Sequence, residues 1–195
     1  WAPEGEQEIF SLDEMIKIWD PSRISKSPAI FDPLKLRAIN AAYIRALPAE
    51  EFRRLADPFI DSAVHCDIDR DLLCANLQPR CEVLEDIPPQ LDFFDAVLPI
   101  DAEMYRNKKQ KTTPESAKEA LTALLPVLEA QTDWTRDAIF EACKTLAEQM
   151  EKKNGWLLFP LGIALSGKAR TPGGGTDLAA MMGREETLKL SLIHI

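Results

Sequence analysis

The sequence predicts an all-α fold built from two consecutive small helical-bundle domains. Nearly every segment places apolar residues at helical spacing, and no run alternates apolar and polar residues between hairpin turns. At 195 residues, of which 46% are hydrophobic, the chain is long enough for one large domain or two small ones with their own cores. We expect a boundary in the polar stretch 106–113, which separates residues 1–105 from residues 106–195.

Helix starts in the first domain follow from local chemistry. Ser11 and Glu14 form a capping-box pattern at the head of the first helix. Asp32 before Pro33 is typical of an N-cap followed by proline at the first helical position. The segment after Pro48 opens with two glutamates, which the helix dipole favours. A further helix is predicted from Asp69 to Glu85, with leucines on one face.

The second domain is predicted to contain two longer helices before its C-terminal part. The first opens at Thr113-Pro114 and is expected to bend or break near Pro126, because proline removes a helical hydrogen bond. The second runs from Asp133 to Lys153 with an apolar face. Asn154-Gly155 is typical of a helix end and is expected to terminate it.

Charge is distributed unevenly along the chain. The net charge is −9, which argues against a general nucleic-acid binder and gives no indication of DNA as a partner. Residues 1–103 hold 10 Lys and Arg against 21 Asp and Glu, whereas residues 104–195 hold 13 against 11. The cluster Arg106, Lys108, Lys109 and Lys111 contains no acid. This cluster is either a solvated charged turn or a local contact with RNA.

Composition limits the remaining classes of site. No apolar run approaches 18 residues, so we expect no membrane span and no membrane partner. Four cysteines at positions 66, 74, 81 and 143 have no CxxC spacing and give no zinc pattern, and such scattered thiols indicate a reducing cytoplasm. His65 and His194 have no partnered nucleophile nearby, so no acid–base site or catalytic residue is predicted.

Several ordered blocks carry a family resemblance. The first two groups are WAPEGE at 1–6 with FSLDE at 10–14, and RISKSPAIFD at 23–32 with Asn40 and YIR at 43–45. The third is LQPR at 77–80 with DFF at 92–94. The fourth is PLGIALSG at 160–167 with TPGG at 171–174 and EETL at 185–188. In this order they resemble the tRNA-binding half of bacterial-type glutamyl-tRNA synthetases, just beyond the catalytic domain. The start of the chain therefore resembles a point inside a longer protein.

The resemblance implies that tRNA recognition and catalysis belong to different parts of the parent protein. The family joins glutamate to tRNA with ATP and Mg²⁺, so this chain would recognise tRNA(Glu), and possibly tRNA(Gln), without carrying the chemistry. By itself it would be an inactive, monomeric, cytoplasmic fragment with no cofactor. Arg23–Ser27 is similar to the KMSKS loop that holds ATP phosphates, but no HIGH-type sequence or nucleotide-binding fold precedes it. Lys26 and Ser27 would instead position a helix entry or contact the tRNA backbone.

Arg80 is the main candidate for base recognition. The resemblance implies that it contacts the third anticodon base and favours C over G. A guanidinium has only donors, which suit the O2 and N3 acceptors of cytosine and conflict with the N–H donors of guanine. The alternative is an ordinary ion pair with Glu82 or Asp86.

Gly162 stands where the family usually has a second anticodon-contacting arginine. Lys168 or Arg170 could reach the same RNA, and the glycine could alternatively permit a tight turn before Ile163. Strict discrimination against tRNA(Gln) is therefore open. Arg45, Arg106, Lys108, Lys109 and Lys111 join Lys26 as predicted contacts to the tRNA backbone.

Two questions stay open from the sequence. Trp134, Trp156 and Phe159 could stack on anticodon bases, although aromatic residues in helices are more often part of the core. Tyr43 lies on an apolar stripe and is expected to be buried.

The competing hypothesis for the whole chain is a helical protein-interaction module that does not bind RNA, which the acidic first half and Gly162 favour.

Overall fold

The computed structural model describes residue 1, residues 3–26 and residues 30–193. Ser27 and His194, named above, lie outside these residues. The α-helices are α1 Leu12–Ile18, α2 Pro33–Ala46, α3 Ala49–Asp61, α4 Arg70–Leu77, α5 Pro114–Ala130, α6 Arg136–Gln149, α7 Asn154–Ser166, α8 Gly175–Met182 and α9 Arg184–Ile193. Short 3₁₀ turns lie at Pro21–Arg23, Gln78–Arg80, Leu84–Asp86, Pro88–Gln90 and Ala102–Tyr105. The described part of the chain has no β-strand, so the all-α prediction is confirmed.

The predicted helix starts are confirmed where a side chain caps the helix. Ser11 and Glu14 form the reciprocal capping box of α1. The Asp32 carboxylate accepts hydrogen bonds from two backbone N–H groups at the start of α2. Thr113 and Ser116 cap each other's backbone at the start of α5. These caps succeed as predictions because both partners lie within three residues of each other.

Two predicted helix ends are wrong, and a third helix is continuous where a bend or a break was expected. The helix after Asp69 ends at Leu77 rather than at Glu85, because Pro79 has no N–H to continue it and the chain turns into 3₁₀ geometry. Helix α5 is not broken at Pro126 but continues to Ala130. Pro126 is exposed, so water can reach the backbone acceptor that its missing N–H leaves unpaired.

The pair Asn154-Gly155 begins α7 instead of ending α6. Helix α6 ends earlier, where Glu151 adopts a left-handed φ of 54° and the N–H of Lys152 bonds the carbonyl of Ala147 at 2.8 Å. This is the hydrogen-bond pattern that a glycine usually closes.

The hydrophobic core connects both halves of the sequence. Its largest cluster joins buried residues such as Phe52, Leu73 and Phe93 to buried residues such as Leu161 and Leu178. The N–H of Asp69, before α4, also bonds the carbonyl of Met181, in α8, at 3.1 Å. The division into domains 1–105 and 106–195 stays a prediction.

The N-terminal segment presents a large apolar surface. Helix α1 has no buried residue, and Leu12 and Ile16 are 73% and 65% exposed. Phe31 and Leu34, at the start of α2, are 75% and 78% exposed. Exposed apolar side chains that form a patch are typical of an interaction face. No helix in the described ranges is long and apolar enough to cross a lipid bilayer.

The loop between α3 and α4 is held by one carboxylate. Asp95 Oδ1 accepts from the backbone N–H groups of His65 and Cys66, both at 3.0 Å, and Asp95 Oδ2 lies 2.6 Å from His65 Nδ1. These hydrogen bonds, led by the one from the His65 backbone, lower the pKa of Asp95 to about 2. The neighbouring Cys66 thiol faces the Phe94 carbonyl, and burial raises the pKa of that thiol to about 11.

We predict that Asp95→Asn lowers the free energy of unfolding by about 1 kcal/mol at pH 7, because a charged acceptor is lost. A lowered pKa stabilises the fold above the unfolded-state value of 3.8, and this contribution disappears as the pH falls toward about 2. The difference in the free energy of unfolding between the unmodified chain and Asp95→Asn, measured with urea, should therefore become smaller from pH 5 to pH 3. Asp67→Asn, in the same exposed loop, is the control; a gap that stays constant with pH would contradict the prediction.

Candidate nucleic-acid interface

Arg80 lies at the end of the 3₁₀ turn that follows α4. Its Nη1 donates to the carbonyl oxygens of Thr171 and Pro172, at 3.2 and 3.0 Å, in the loop between α7 and α8. Arg80 nevertheless remains an exposed residue. A guanidinium has five N–H donors, of which Nη1 supplies two, and the three on Nε and Nη2 have no hydrogen-bond partner among the residues that the structure describes.

The alternative for Arg80, an ion pair with Glu82 or Asp86, is wrong. Both carboxylates instead contact Arg37 of α2: its Nε lies 2.8 Å from Glu82 Oε2, and its Nη2 contacts Asp86. Asn40 adds a hydrogen bond of 2.6 Å to the Glu82 carbonyl. The two acids closest to Arg80 in sequence thus form ion pairs with Arg37, and Arg80 bonds the loop after α7 instead. The sequence contained no signal for this role of Arg37.

Lys168 provides a second bridge between the same two regions. Its Nζ donates to the carbonyl of Pro89 at 2.9 Å and forms an ion pair with Asp92. Together with Arg80, it fastens the α7–α8 loop to residues 78–92. Arg170, in the same loop, is exposed and has no ion-pair partner among the described residues. Of the two predicted replacements for the missing arginine, Arg170 is the one whose charge is available.

Gly162 does not form a turn, so that alternative is also wrong; it lies inside α7. Helices α7 and α8 cross closely here. A Cβ built on Gly175 would lie 2.6 Å from the Leu158 carbonyl oxygen, whereas a Cβ on Gly162 would lie 3.6 Å from the Gly175 nitrogen. Gly175 is therefore required by the crossing, and Gly162 is not.

A cleft of about 170 Å³ opens at this crossing. It is lined by Phe159 and Gly162 of α7, by Lys168 and Thr171 of the loop, and by the glycine run 173–175. Arg80 adjoins it through its hydrogen bond to Thr171. The structure thus brings Arg80, Gly162 and Lys168 to one place although up to 88 positions separate them. The backbone carbonyls that hold Arg80 could not be foreseen from residue types.

Comparison with known proteins assigns this region to a family. The family model described as the anticodon binding domain matches residues 36–189, which include Arg80 and the whole cleft. The chain belongs to the anticodon-binding domain family. Lys26 lies outside the matched residues.

Individual relatives agree with this assignment. The chain is 44% identical over 195 residues to the glutamate–tRNA ligase of Clostridium botulinum strain Hall, and 40% identical over 196 residues to that of Clostridium acetobutylicum. It covers 40% of either relative. A crystal structure of a glutamate tRNA ligase from Elizabethkingia meningosepticum CCUG26117, in complex with its amino acid, matches the whole chain with a TM-score of 0.83 and 26% identity, over 38% of that protein. The resemblance to glutamyl-tRNA synthetases is confirmed.

The aromatic residues of this anticodon-binding domain divide into two groups. Trp156 is 5% exposed and belongs to the core, and Trp134 is partly buried with its Nε1 donating to the Ala179 carbonyl at 2.9 Å. Phe159 is partly buried and lines the cleft, so it is the one of the three placed to meet a base. The burial predicted for Tyr43 is wrong: it is 44% exposed, and its hydroxyl donates to the Phe10 carbonyl.

The predicted backbone-contacting residues lie in two parts of the chain. Lys26 and Arg45 are exposed in the first half. Arg106 is paired with Glu103 at 2.7 Å. The side chains of Lys108, Lys109 and Lys111 are exposed and have no ion-pair partner in the part of the chain that the structure describes. Contact of these residues with tRNA stays a prediction.

Proposed function

We propose that this chain binds the anticodon arm of tRNA(Glu), as the RNA-recognising part of a glutamate–tRNA ligase. The observation that carries the proposal is Arg80 beside the cleft: Nη1 is fixed to Thr171 and Pro172, while its other three N–H donors bond no residue in the described part of the chain. Donors alone suit the acceptors of an unstacked cytosine. The names of the relatives, which match over the full length of the chain, supply the amino acid.

Catalysis would belong to the rest of such a ligase. The chain spans about two fifths of the relatives it matches, so glutamate activation with ATP and Mg²⁺ is proposed for the other three fifths. The exposed apolar face of α1 and the start of α2 supports this arrangement, since it offers a surface on which a catalytic part could pack. We propose a monomeric, cytoplasmic enzyme, with tRNA(Gln) as a second possible substrate because Gly162 lacks a base-reading side chain. No observation favours the protein-interaction module.

The test is binding of the chain to two anticodon stem-loops that differ only in C or G at the third anticodon position, each at two salt concentrations. We expect the C form to bind about fivefold to a hundredfold tighter, because a poorly matched base edge costs about 1–3 kcal/mol. We also expect affinity to fall steeply with salt, as phosphate contacts release counterions. Equal binding of both RNAs would refute the selectivity, and binding that is weak and insensitive to salt would refute RNA recognition itself.

A further inference from the structure

The basic segment at the predicted boundary forms a hairpin whose backbone is held by hydrogen bonds. Asn107 and Thr112 exchange two backbone hydrogen bonds of 3.1 Å, and Asn107 Oδ1 accepts from the backbone N–H groups of Lys109 and Gln110 at 2.9 and 3.1 Å. We call residues 107–112 the lysine hairpin. These hydrogen bonds fix its backbone, and its three lysines project from it as exposed side chains. A fixed backbone lowers the entropic cost of presenting the three charges to a ligand.

The lysine hairpin rests on the start of α7. The Gln110 side chain lies against Gly155: a Cβ on that glycine would overlap Gln110 Oε1. Lys152 and Lys153, both exposed, immediately precede α7. Lys152 Nζ also lies 5.2 Å from the centre of the Trp156 ring. One tertiary contact therefore brings together two basic segments that lie about 40 residues apart in the sequence.

Helical geometry places the lysine hairpin and the cleft on the same face of α7. Gly155, which contacts the hairpin, and Gly162, which lines the cleft, are seven residues apart. Seven residues make almost two turns and a rise of about 10 Å. Leu158 and Phe159, which also line the cleft, fall between the two glycines on that face. The point where the lysine hairpin contacts α7 and the cleft thus lie along one side of a single helix.

Acidic groups do not neutralise this surface. Glu103, before the hairpin, forms an ion pair with Arg106, whose Nε lies 2.7 Å from Glu103 Oε2. Glu148 and Glu151, at the end of α6, are the acids closest in sequence to Lys152 and Lys153, and neither forms an ion pair among the described residues. Glu115, at the start of α5, faces Arg106 and is a third acid near this surface. Five lysines against these three acids leave a net positive surface, although the chain as a whole carries −9.

We propose that Lys108, Lys109, Lys111, Lys152 and Lys153 form a phosphate-binding track for the backbone of the RNA strand whose base enters the cleft. This proposal rests on the proposed function. The cleft supplies selectivity through Arg80, while the track supplies affinity that does not depend on sequence, as phosphate contacts do. Because Gly155, which contacts the hairpin, lies about 10 Å from Gly162 along α7, we expect one single-stranded loop to reach both the hairpin and the cleft.

The experiment compares two charge-removing variants with a matched control. One variant carries Lys108→Gln, Lys109→Gln and Lys111→Gln, and the other carries Lys152→Gln and Lys153→Gln. The control removes three charges elsewhere, on α1, α2 and α9, through Lys17→Gln, Lys35→Gln and Lys189→Gln. Affinity of the whole chain for the C and G stem-loops is measured across a salt series, with circular dichroism to confirm that each variant is folded.

The hairpin variant should bind both stem-loops more weakly and reduce the slope of log affinity against log salt by about 2, since each contact to single-stranded RNA contributes about 0.7. The second variant should reduce it by about 1.4. The ratio of C to G binding should be unchanged in both. Slopes equal to that of the control would overturn the track while leaving the proposed function intact. If the unmodified chain does not bind RNA, the proposed function itself is refuted.

Discussion

Replacing Gly175 by alanine is expected to lower the free energy of unfolding by about 1–3 kcal/mol, the usual cost of overpacking a tight contact. The new Cβ would lie 2.6 Å from the Leu158 carbonyl oxygen and 3.0 Å from the Gly162 nitrogen. Both atoms belong to the backbone of α7, so neither can rotate away. The crossing of α7 and α8 would have to open, and the cleft at that crossing would change shape.

Gly162→Ala is the matched control for Gly175→Ala. It adds the same methyl group to the facing helix, but the nearest atom is 3.6 Å from the new Cβ, an ordinary contact distance. Since glycine inside a helix costs about 0.5–1 kcal/mol relative to alanine, this variant should be slightly stabilised. Urea unfolding followed by circular dichroism measures both. Similar destabilisation of the two variants would show that α7 and α8 do not cross as described.

Fold class and helix starts could be predicted from the sequence because their causes are local. The capping residues Ser11, Asp32 and Thr113 bond backbone groups no more than three residues away. A pattern in a short window therefore contains all the partners involved. The same reasoning explains why the apolar faces of α5 and α6 were predictable while their packing partners were not.

Helix ends were harder to predict because residue type alone does not decide them. Asn154-Gly155 has the composition of a helix end, yet Gly155 begins α7, where the Gln110 side chain of the lysine hairpin occupies the space a Cβ would need. Helix α6 ends instead at a glutamate with a left-handed φ, which its sequence does not signal. A tertiary contact therefore requires the glycine at 155, whereas α6 ends through hydrogen bonds within its own last turn.

The candidate site shows the same limit. The resemblance indicated Arg80, Gly162 and Lys168, and the structure brings all three to the α7–α8 crossing. It could not indicate that Arg80 is held by backbone carbonyls, because every residue has a carbonyl and only the fold selects which ones approach. Nor could it indicate that Arg37 binds the acids next to Arg80, since that contact spans 45 positions.

Arg80→Gln is expected to remove most of the preference for C over G at the third anticodon position. An amide both donates and accepts, so it can meet the edges of cytosine and guanine, whereas a guanidinium only donates. We expect the ratio of the two affinities to fall by roughly tenfold to a hundredfold, which corresponds to about 1–3 kcal/mol. Fluorescence titration of the two stem-loops with each protein gives this ratio directly.

Arg80 also positions the α7–α8 loop, and a second variant separates this role from base recognition. Arg80→Lys keeps the positive charge and can still bond the Thr171 or Pro172 carbonyl, but it lacks the planar set of donors. If Arg80 reads the base, Arg80→Lys should lose selectivity while its urea unfolding stays close to that of the unmodified chain. If Arg80 only positions the loop, Arg80→Gln should weaken binding of the C and G stem-loops by the same factor, and Arg80→Lys should bind both like the unmodified chain. An unchanged ratio in Arg80→Gln would assign base recognition to another residue of the cleft.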